Sequence, residues 1–151
     1  FAVGGSERQD SVRNGVKAAS RNCEIVAIHD GARPCVGSET ISSAILAAKK
    51  HGASVAATKI VDTIKLSDGN ARISQNIDRT HVWSVQTPQV FKITVILEAM
   101  EAVESQNASV TDDTAACELI GQSVILIESR RPNPKVTTSA DLPFIQFLLE
   151  G

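Results

Sequence analysis

The chain has 151 residues, 42% of them hydrophobic and 21% charged, and its formal net charge at pH 7 is −2. This composition is typical of one soluble globular domain that buries its own core. It argues against a nucleic-acid-binding protein, because Lys and Arg form no basic run, and against a membrane-spanning protein, because every apolar stretch is too short.

The first half of the chain begins with alternating helix and strand patterns. A helix is predicted to begin at Asp10, because apolar residues then recur on one face and Asp10 or Ser11 can cap the free amides. The apolar segment 24–29 ends in a turn signal and predicts a strand. A second helix is predicted to open at Ser38 or Glu39.

The middle of the chain contains a hairpin-rich insert. Gly52 stands after the second helix, where a left-handed C-terminal residue belongs, and the segment 54–60 predicts a buried strand. A turn signal inside 64–74 predicts a β-hairpin. The segment 86–89, with its proline, predicts a rigid loop before a short strand over 90–92.

The remaining segments return to alternating helices and strands. Helices are predicted over 94–105 and 112–120, a strand over 124–127, and a last helix capped by Ser139. In that helix the residues expected to face inward are Leu142, Ile145, Leu148 and Leu149. This order predicts an α/β fold with a mostly parallel sheet and helices on both faces.

Polar residues follow the strand predicted over 24–29. A carboxylate at a strand tip, here Asp30, can hold Mg²⁺, and Arg33 supplies a planar fork suited to phosphate. The alternative is a structural Asp30–Arg33 pair that only steadies the loop. His29 is more typical of a packed residue at a strand end, and we assign it no role.

The turn before the first helix is a second candidate site. Gly4 and Gly5 let backbone amides approach a ligand, the helix start favours anions, and Arg8 and Ser11 add hydrogen-bond donors. Any junction of a strand, a turn and a helix has a similar pattern, so this signal is weak alone.

Further cations and hydroxyls occur later, in the segments 62–65, 78–79, 86–89 and 133–138. Lys135 could be a point charge for phosphate or an exposed lysine, and 111–113 favours a capped helix start over a metal site. No Ser–His–Asp set or zinc-ligand spacing competes. The residues together therefore predict an α/β domain that handles phosphates with a divalent cation.

The order of these segments resembles the 2-C-methyl-D-erythritol 4-phosphate cytidylyltransferases of the non-mevalonate isoprenoid pathway. The matching segments are 4–12, 29–34, 62–65, 78–79, Trp83, 86–91, 111–113, Glu118, 135–138 and 141–142. The resemblance implies a Rossmann-like core and a homodimer. It also implies transfer of a cytidylyl group from CTP to the sugar-alcohol phosphate, with Mg²⁺ as cofactor.

The resemblance also implies roles for particular residues. CTP would be contacted by Gly5, Ser6, Arg8, Ser11 and Asp30. Asp30 would lie at the Mg²⁺ ion, and Asp30 and Lys135 are the residues expected to act in catalysis. The acceptor would be bound by Arg33, Thr63, Lys65, Arg79, Thr87 and Lys135.

The insert, at about 61–92, matches the protruding β-arm of the family, which reaches into the neighbouring subunit. Thr63, Arg79 and Thr87 would then hold the acceptor in a site whose Lys135 comes from the core of the partner.

The family begins with a strand and a glycine-rich loop bearing an Arg and a Lys, and the segment starting at Phe1 has neither. We therefore expect 1–151 to be a single nucleotidyltransferase domain that is truncated at its amino terminus.

Two alternatives remain open. A ribitol 5-phosphate cytidylyltransferase would have a similar site, and a non-catalytic module could dimerise or bind phosphorylated ligands without turnover. Three cysteines without a C-x-x-C pair favour a reducing compartment, so we expect the protein in the cytoplasm, or in the plastid stroma of a plant or alga. Neither nucleic acid nor membrane is expected as a partner.

Overall fold

The computed structural model describes residues 1–20 and 22–150. Its helices are α1 (Arg8–Lys17), α2 (Ser38–His51), α3 (Ile93–Ser105), α4 (Asp113–Glu118) and α5 (Leu142–Glu150). Its strands are β1 (Ile25–Ile28), β2 (Ala53–Lys59), β3 (Ile64–Ser67), β4 (Ile73–Ile77), β5 (Trp83–Lys92) and β6 (Ile125–Glu128). None of these helices is long and apolar enough to cross a lipid bilayer.

Four strands form the central sheet, in the order β1-β5-β2-β6. Strand β5 pairs antiparallel with both β1 and β2, whereas β2 pairs parallel with β6. Three of the four strands therefore point the same way, which confirms the mostly parallel sheet. The exception is β5, because the chain returns from the hairpin directly alongside β2.

The sheet is covered on both faces, as predicted. Phe91 belongs to a core cluster that includes Val16 of α1, Ile96 of α3 and Cys117 of α4. Its neighbour Val90 packs in the other cluster, with α2 residues. Since consecutive strand residues point to opposite faces, this pair anchors two cores from one strand.

The rigid loop predicted over 86–89 is wrong, because β5 continues through it to Lys92. Val55 pairs with Gln89 and Ala57 with Val85, so three residues of β5 lie opposite Ala56 alone. This bulge contains Pro88, which has no N–H to donate to a regular ladder. The pairing partners on both sides of β5 outweigh the local preference of the proline.

The hairpin β3–β4 forms a separate two-stranded sheet, and we call residues 60–82 the arm. Trp83 to Lys92, which the prediction included in the arm, pair in the central sheet instead. The side chains of Val61, Leu66 and Ile73 are exposed along the arm. At its base Lys59 Nζ lies 5.4 Å from the centroid of the Trp83 ring, within cation–π range.

Helix α1 begins at Arg8, two residues before the predicted start, and Asp10 is not its cap. The Asp10 carboxylate lies in the first turn, where Oδ2 accepts from the Glu7 N–H over 3.3 Å and from the Ser6 hydroxyl over 2.8 Å. These bonds lower the pKa of Asp10, the Ser6 hydrogen bond most of all. The acid thus stabilises the helix from within its first turn.

The inward face predicted for α5 is only partly correct. Ile145 is buried, whereas Leu142 and Leu149 are exposed. Leu148 lines a cleft together with Pro34 and Pro132. Only a narrow stripe of α5 packs against the rest of the domain, so its other apolar side chains are exposed to solvent.

The start of α5 depends on Asp141 rather than on Ser139. The Asp141 carboxylate accepts hydrogen bonds from the N–H groups of Thr138 and Thr137, each over 2.8 Å, and these bonds lower its pKa to about 2. Because the pKa of Asp141 is lower in the folded protein than in the unfolded chain, the ionised carboxylate stabilises the fold fully at pH above the unfolded pKa. This stabilisation is lost as the pH falls through the folded pKa.

We therefore expect Asp141→Asn to lower the unfolding temperature at neutral pH. The gap to the wild type should narrow as pH falls from about 4 to about 2. Thermal unfolding followed by circular dichroism measures the gap, with Glu98→Gln, at an exposed position of α3, as the control. A gap that widens in acid would contradict this role.

Candidate functional site

The turn after β1 carries a cluster of charged side chains. The Arg33 N–H donates to the Asp30 carbonyl over 3.0 Å and closes a tight turn. Both residues therefore lie at the carboxyl end of β1, the edge where open α/β sheets bind ligands.

The carboxylate of Asp30 lies between two cations. Its Oδ2 atom is 3.1 Å from Lys135 Nζ and 3.4 Å from Arg33 Nε. Burial opposes ionisation of this carboxyl, but the hydrogen bonds and charges of Lys135 and Arg33 outweigh burial and lower its pKa. The cluster thus holds two positive charges against one negative, and its net charge suits an anionic ligand.

Residues Asn133 to Val136, here called the strap, bring Lys135 to this turn. Arg33 Nη1 donates to the Asn133 carbonyl over 2.7 Å, and the Val136 N–H donates to the Ala32 carbonyl over 2.8 Å. These bonds join segments about a hundred residues apart in sequence. The ammonium group of Lys135 is therefore placed by backbone contacts on both sides of it.

Asn133 lies in the candidate segment 133–138, but the sequence reasoning assigned it no role. Its side chain is buried, with the residue 3% exposed, and Nδ2 donates to the Thr87 carbonyl over 2.9 Å and to Gln86 Oε1 over 3.1 Å. A short polar residue two positions before a lysine is the only signal in the sequence. It does not reveal that the amide spans from the strap to β5.

Thr87 lies beside Asp30 in the same chain, and not on the arm where the resemblance placed it. It belongs to β5 and is 5% exposed. The Asp30 N–H donates to Thr87 Oγ1 over 3.0 Å, and His29 Nδ1 is 2.9 Å from the same hydroxyl. Four of the predicted residues therefore lie together at this edge: Asp30, Arg33, Thr87 and Lys135.

The turn before α1 uses its polar groups internally. The Gly5 N–H donates to Ser11 Oγ over 2.9 Å, and the Ser6 hydroxyl donates to Asp10. The loop is thereby held in one shape. Its predicted donors would have to exchange these bonds for bonds to a ligand.

Arg8 connects this turn to the rest of the site. Its Nη2 atom is 2.6 Å from Oδ2 of Asp113, which is 4% exposed. The hydrogen bond to Asp113 raises the pKa of Arg8, and the charges of Asp30 and Asp112 act in the same direction. The charge of Asp30 thus favours the protonated form of Arg8, although the largest cause is the hydrogen bond to Asp113.

Gln89 holds the start of α4 against β5. Its Nε2 donates to Asp112 Oδ2 over 2.8 Å, and its Oε1 accepts from the Asp113 N–H over 3.1 Å. Asp112 also accepts from the Ala115 N–H, so it caps the helix as predicted. Gln89 and Asp113 lie in the segments 86–89 and 111–113, but neither was assigned a role in the site, because no local pattern relates them to Arg8.

The arm carries the other predicted residues. Lys65 Nζ donates to Asn76 Oδ1 across the hairpin, over 2.7 Å. Within the described residues, Thr63, Lys65 and Arg79 form no hydrogen bond or ion pair with the Asp30 cluster. A single chain therefore does not unite the two groups.

Asp30 is the residue predicted to bind Mg²⁺. In the described part of the chain, no group of three or more His, Cys, Asp or Glu side chains could hold a metal ion by itself. Oδ2 of Asp30 is engaged by Lys135 and Arg33, which leaves Oδ1 available. One carboxylate suffices for Mg²⁺ when phosphate oxygens and water complete its shell, so the donor set fits an ion that arrives with a nucleotide.

Gly5 is required by close packing at the helix start. A Cβ there would overlap Asp10 Cβ and lie 3.1 Å from the Asp10 carbonyl carbon. We expect Gly5→Ala to lower the free energy of unfolding by about 1–3 kcal/mol. Gly15→Ala is the matched control, because no atom lies within 4 Å of the added methyl group. That change should stabilise α1 by about 0.5–1 kcal/mol, and urea unfolding measures both.

A family model described as IspD, 2-C-methyl-D-erythritol 4-phosphate cytidylyltransferase, matches residues 1–151. Proteins named 2-C-methyl-D-erythritol 4-phosphate cytidylyltransferase are similar in sequence. The one from Alkaliphilus oremlandii is 43% identical over 147 residues, which are 97% of this chain and 62% of that protein. The one from Geobacillus thermodenitrificans is 44% identical over 149 residues, which are 99% of this chain and 64% of that protein.

Solved structures agree with these matches. The 2-C-methyl-D-erythritol 4-phosphate cytidylyltransferase of Thermus thermophilus superposes with a TM-score of 0.89 at 30% identity, over all of this chain and 73% of that one. The 4-diphosphocytidyl-2C-methyl-D-erythritol synthase of Anaerococcus prevotii has a TM-score of 0.89 at 31% identity, covering 98% and 68%. The chain spans less than two thirds of the length of the curated relatives named above. The Rossmann-like fold is confirmed.

Proposed function

The chain belongs to the 2-C-methyl-D-erythritol 4-phosphate cytidylyltransferase (IspD) family, and on that premise we propose that the protein transfers a cytidylyl group from CTP to 2-C-methyl-D-erythritol 4-phosphate and releases pyrophosphate. The observation that carries this proposal is the charged cluster, in which Lys135 and Arg33 converge on Asp30. The cluster has the net positive charge that a reaction between two anions requires.

The proposed reaction is a substitution at phosphorus. An oxygen of the acceptor phosphate forms a bond to the α-phosphorus of CTP, and the bond to the bridging oxygen breaks, so that its electron pair leaves with pyrophosphate. Such chemistry needs alignment and charge neutralisation rather than a covalent nucleophile. We assign the neutralising role to the Lys135 ammonium, and we assign to Arg33 the shaping of the acceptor site.

We propose that Asp30 binds Mg²⁺ together with the nucleotide phosphates. The ion, when bound, would reduce the negative charge on those phosphates. The cations that now surround Asp30 would then be released toward the substrates. Before the substrates bind, the ion pairs with Asp30 hold Lys135 and Arg33 in place.

We assign cytidine nucleotide contacts to Gly5, Ser6, Arg8 and Ser11. In support, the turn precedes a helix, whose start favours negative charge, and Arg8 is the first residue of that helix. One edge of the Arg8 guanidinium is engaged by Asp113, so its remaining N–H groups are the donors available to a nucleotide.

We propose a homodimer in which the arm of one subunit completes the acceptor site of the other. Thr63, Lys65 and Arg79 would then meet the phosphate from across the interface. The exposed apolar side chains of the arm support this arrangement, because a partner surface would remove them from water. The unit would be one nucleotidyltransferase domain, 1–151, with its arm.

A reducing compartment agrees with the cysteines, and we expect the protein in the cytoplasm or in a plastid stroma. Cys23, Cys35 and Cys117 are all free. Burial, with the charges of Asp113 and Asp112, raises the pKa of Cys117 to about 11, so this thiol is unreactive at neutral pH.

The direct test measures pyrophosphate release by the protein expressed from its complete reading frame. With CTP and Mg²⁺, kcat/KM for 2-C-methyl-D-erythritol 4-phosphate should exceed that for ribitol 5-phosphate by about a hundredfold or more. The reverse preference would favour the ribitol enzyme. Binding of CTP without pyrophosphate release from either acceptor would favour a non-catalytic module and overturn the proposal.

A further inference from the structure

The imidazole of His29 connects two parts of the site that are distant in sequence. Its Nε2 atom is 3.0 Å from the Arg33 carbonyl oxygen, and its Nδ1 atom is 2.9 Å from Thr87 Oγ1. The ring therefore spans from the 30–33 turn to β5, although it is exposed to solvent.

Three hydrogen bonds link the Arg33 carbonyl, the His29 ring, the Thr87 hydroxyl and the Asp30 N–H in series. The groups at the two ends of this series fix the direction of every bond in it. The Arg33 carbonyl can only accept, so the neutral ring must carry its proton on Nε2. Nδ1 is then an acceptor, and the Thr87 hydroxyl donates to it. The Asp30 N–H, which can only donate, supplies the hydrogen bond that the same hydroxyl accepts.

We propose that His29 is a positioning residue, whose Nε2–H tautomer ties the Arg33 carbonyl to the Thr87 hydroxyl and so fixes the turn that carries Asp30 and Arg33 against β5. The Arg33 N–H to Asp30 carbonyl bond closes the turn itself. The imidazole adds a second connection to the sheet, beside the direct bond from the Asp30 N–H to Thr87 Oγ1. Because small displacements of aligned groups are costly in catalysis, such a connection controls rate more than stability.

The tautomer is testable without any activity. Long-range ¹H–¹⁵N correlation spectra of the imidazoles, recorded at about pH 8, distinguish Nε2–H from Nδ1–H rings. We expect His29 to show the Nε2–H pattern alone. His51 and His81, which make no ring hydrogen bond among the described residues, serve as internal references. A His29 ring protonated on Nδ1, or averaged between tautomers, would overturn the proposal.

Two substitutions separate the halves of the bridge. In His29→Asn the amide oxygen can still accept from Thr87 but does not reach the Arg33 carbonyl. In His29→Gln the amide N–H can still donate to that carbonyl, but the Thr87 hydroxyl proton loses its acceptor while the hydroxyl still accepts from the Asp30 N–H. Because the bridge needs both contacts, each change should lower kcat/KM for the acceptor about tenfold. His51→Gln, at the exposed end of α2, is the control and should change nothing.

The kinetic prediction rests on the proposed function, and the possible outcomes distinguish a failure of this inference from a failure of that function. If the wild type shows no cytidylyl transfer, the proposed function fails, and the tautomer still decides whether the bridge exists. If transfer occurs and both variants keep the wild-type kcat/KM, with only their unfolding temperatures lowered, His29 is merely structural and the inference is wrong.

Discussion

Lys135→Ala is expected to lower kcat/KM for cytidylyl transfer by about 10²–10³. The ammonium group is the more exposed of the two cations on Asp30, and it lies 3.1 Å from that carboxylate. It is therefore the charge that can turn toward a phosphate with the least rearrangement. Without the Lys135 ammonium group, the negative charge that develops in the transition state lacks its nearest cation.

Lys135→Arg and Lys50→Ala are the matched controls for this prediction. The arginine keeps the charge but replaces a compact ammonium by a planar fork, so it should recover only part of the rate. Lys50 lies on the exposed side of α2 and should have no effect. Steady-state kinetics with both substrates measure the losses. A Lys135→Ala variant that retains more than about a third of the wild-type kcat/KM would remove Lys135 from the reaction.

Arg79→Ala is expected to raise KM for the acceptor about 10- to 100-fold, with little change in KM for CTP. Arg79 opens the short 3₁₀ turn between β4 and β5, and it makes no side-chain bond among the described residues. Its loss should therefore not destabilise the fold. A guanidinium that bonds to none of the described residues is available to a phosphate held by another subunit.

Mixed dimers test whether Arg79 acts across the interface. Co-expression of differently tagged Arg79→Ala and Lys135→Ala chains allows dimers with one copy of each to be isolated. If the arm reaches the partner, one site in such a dimer carries both defects and the other carries none, so activity should be about half that of the wild type. Mixed dimers no more active than the single variants would show that each arm serves its own chain.

Local sequence patterns were sufficient to predict most of the helices and strands. The strand over 24–29 and the helix that ends before Gly52 were found because apolar periodicity and a left-handed glycine are properties of neighbouring residues. The course of β5 was not found, because pairing with β1 and β2 outweighs the signal of Pro88. That competition is decided by strands whose paired residues lie between 24 and 67 positions away in sequence.

The same distinction applies to the site. Asp30 and Arg33 were identified because they follow a strand within one short turn. Asp113 was not identified as the partner of Arg8, since the two lie 105 residues apart. The contact of Asn133 with Thr87 spans 46 residues and is equally invisible locally. Residues that present charge were thus predictable, and residues that hold them in place were not.

The adjacent pair Val90 and Phe91 constrains how the protein can change during evolution. Each side chain fills a different hydrophobic cluster, and the same strand holds Thr87 against the Asp30 turn and Gln89 against the start of α4. A one-residue insertion or deletion after Gln89 would invert which side chain meets which face. Descendants of this chain can therefore exchange residues along β5, whereas indels between Gln89 and Lys92 should be purged by selection.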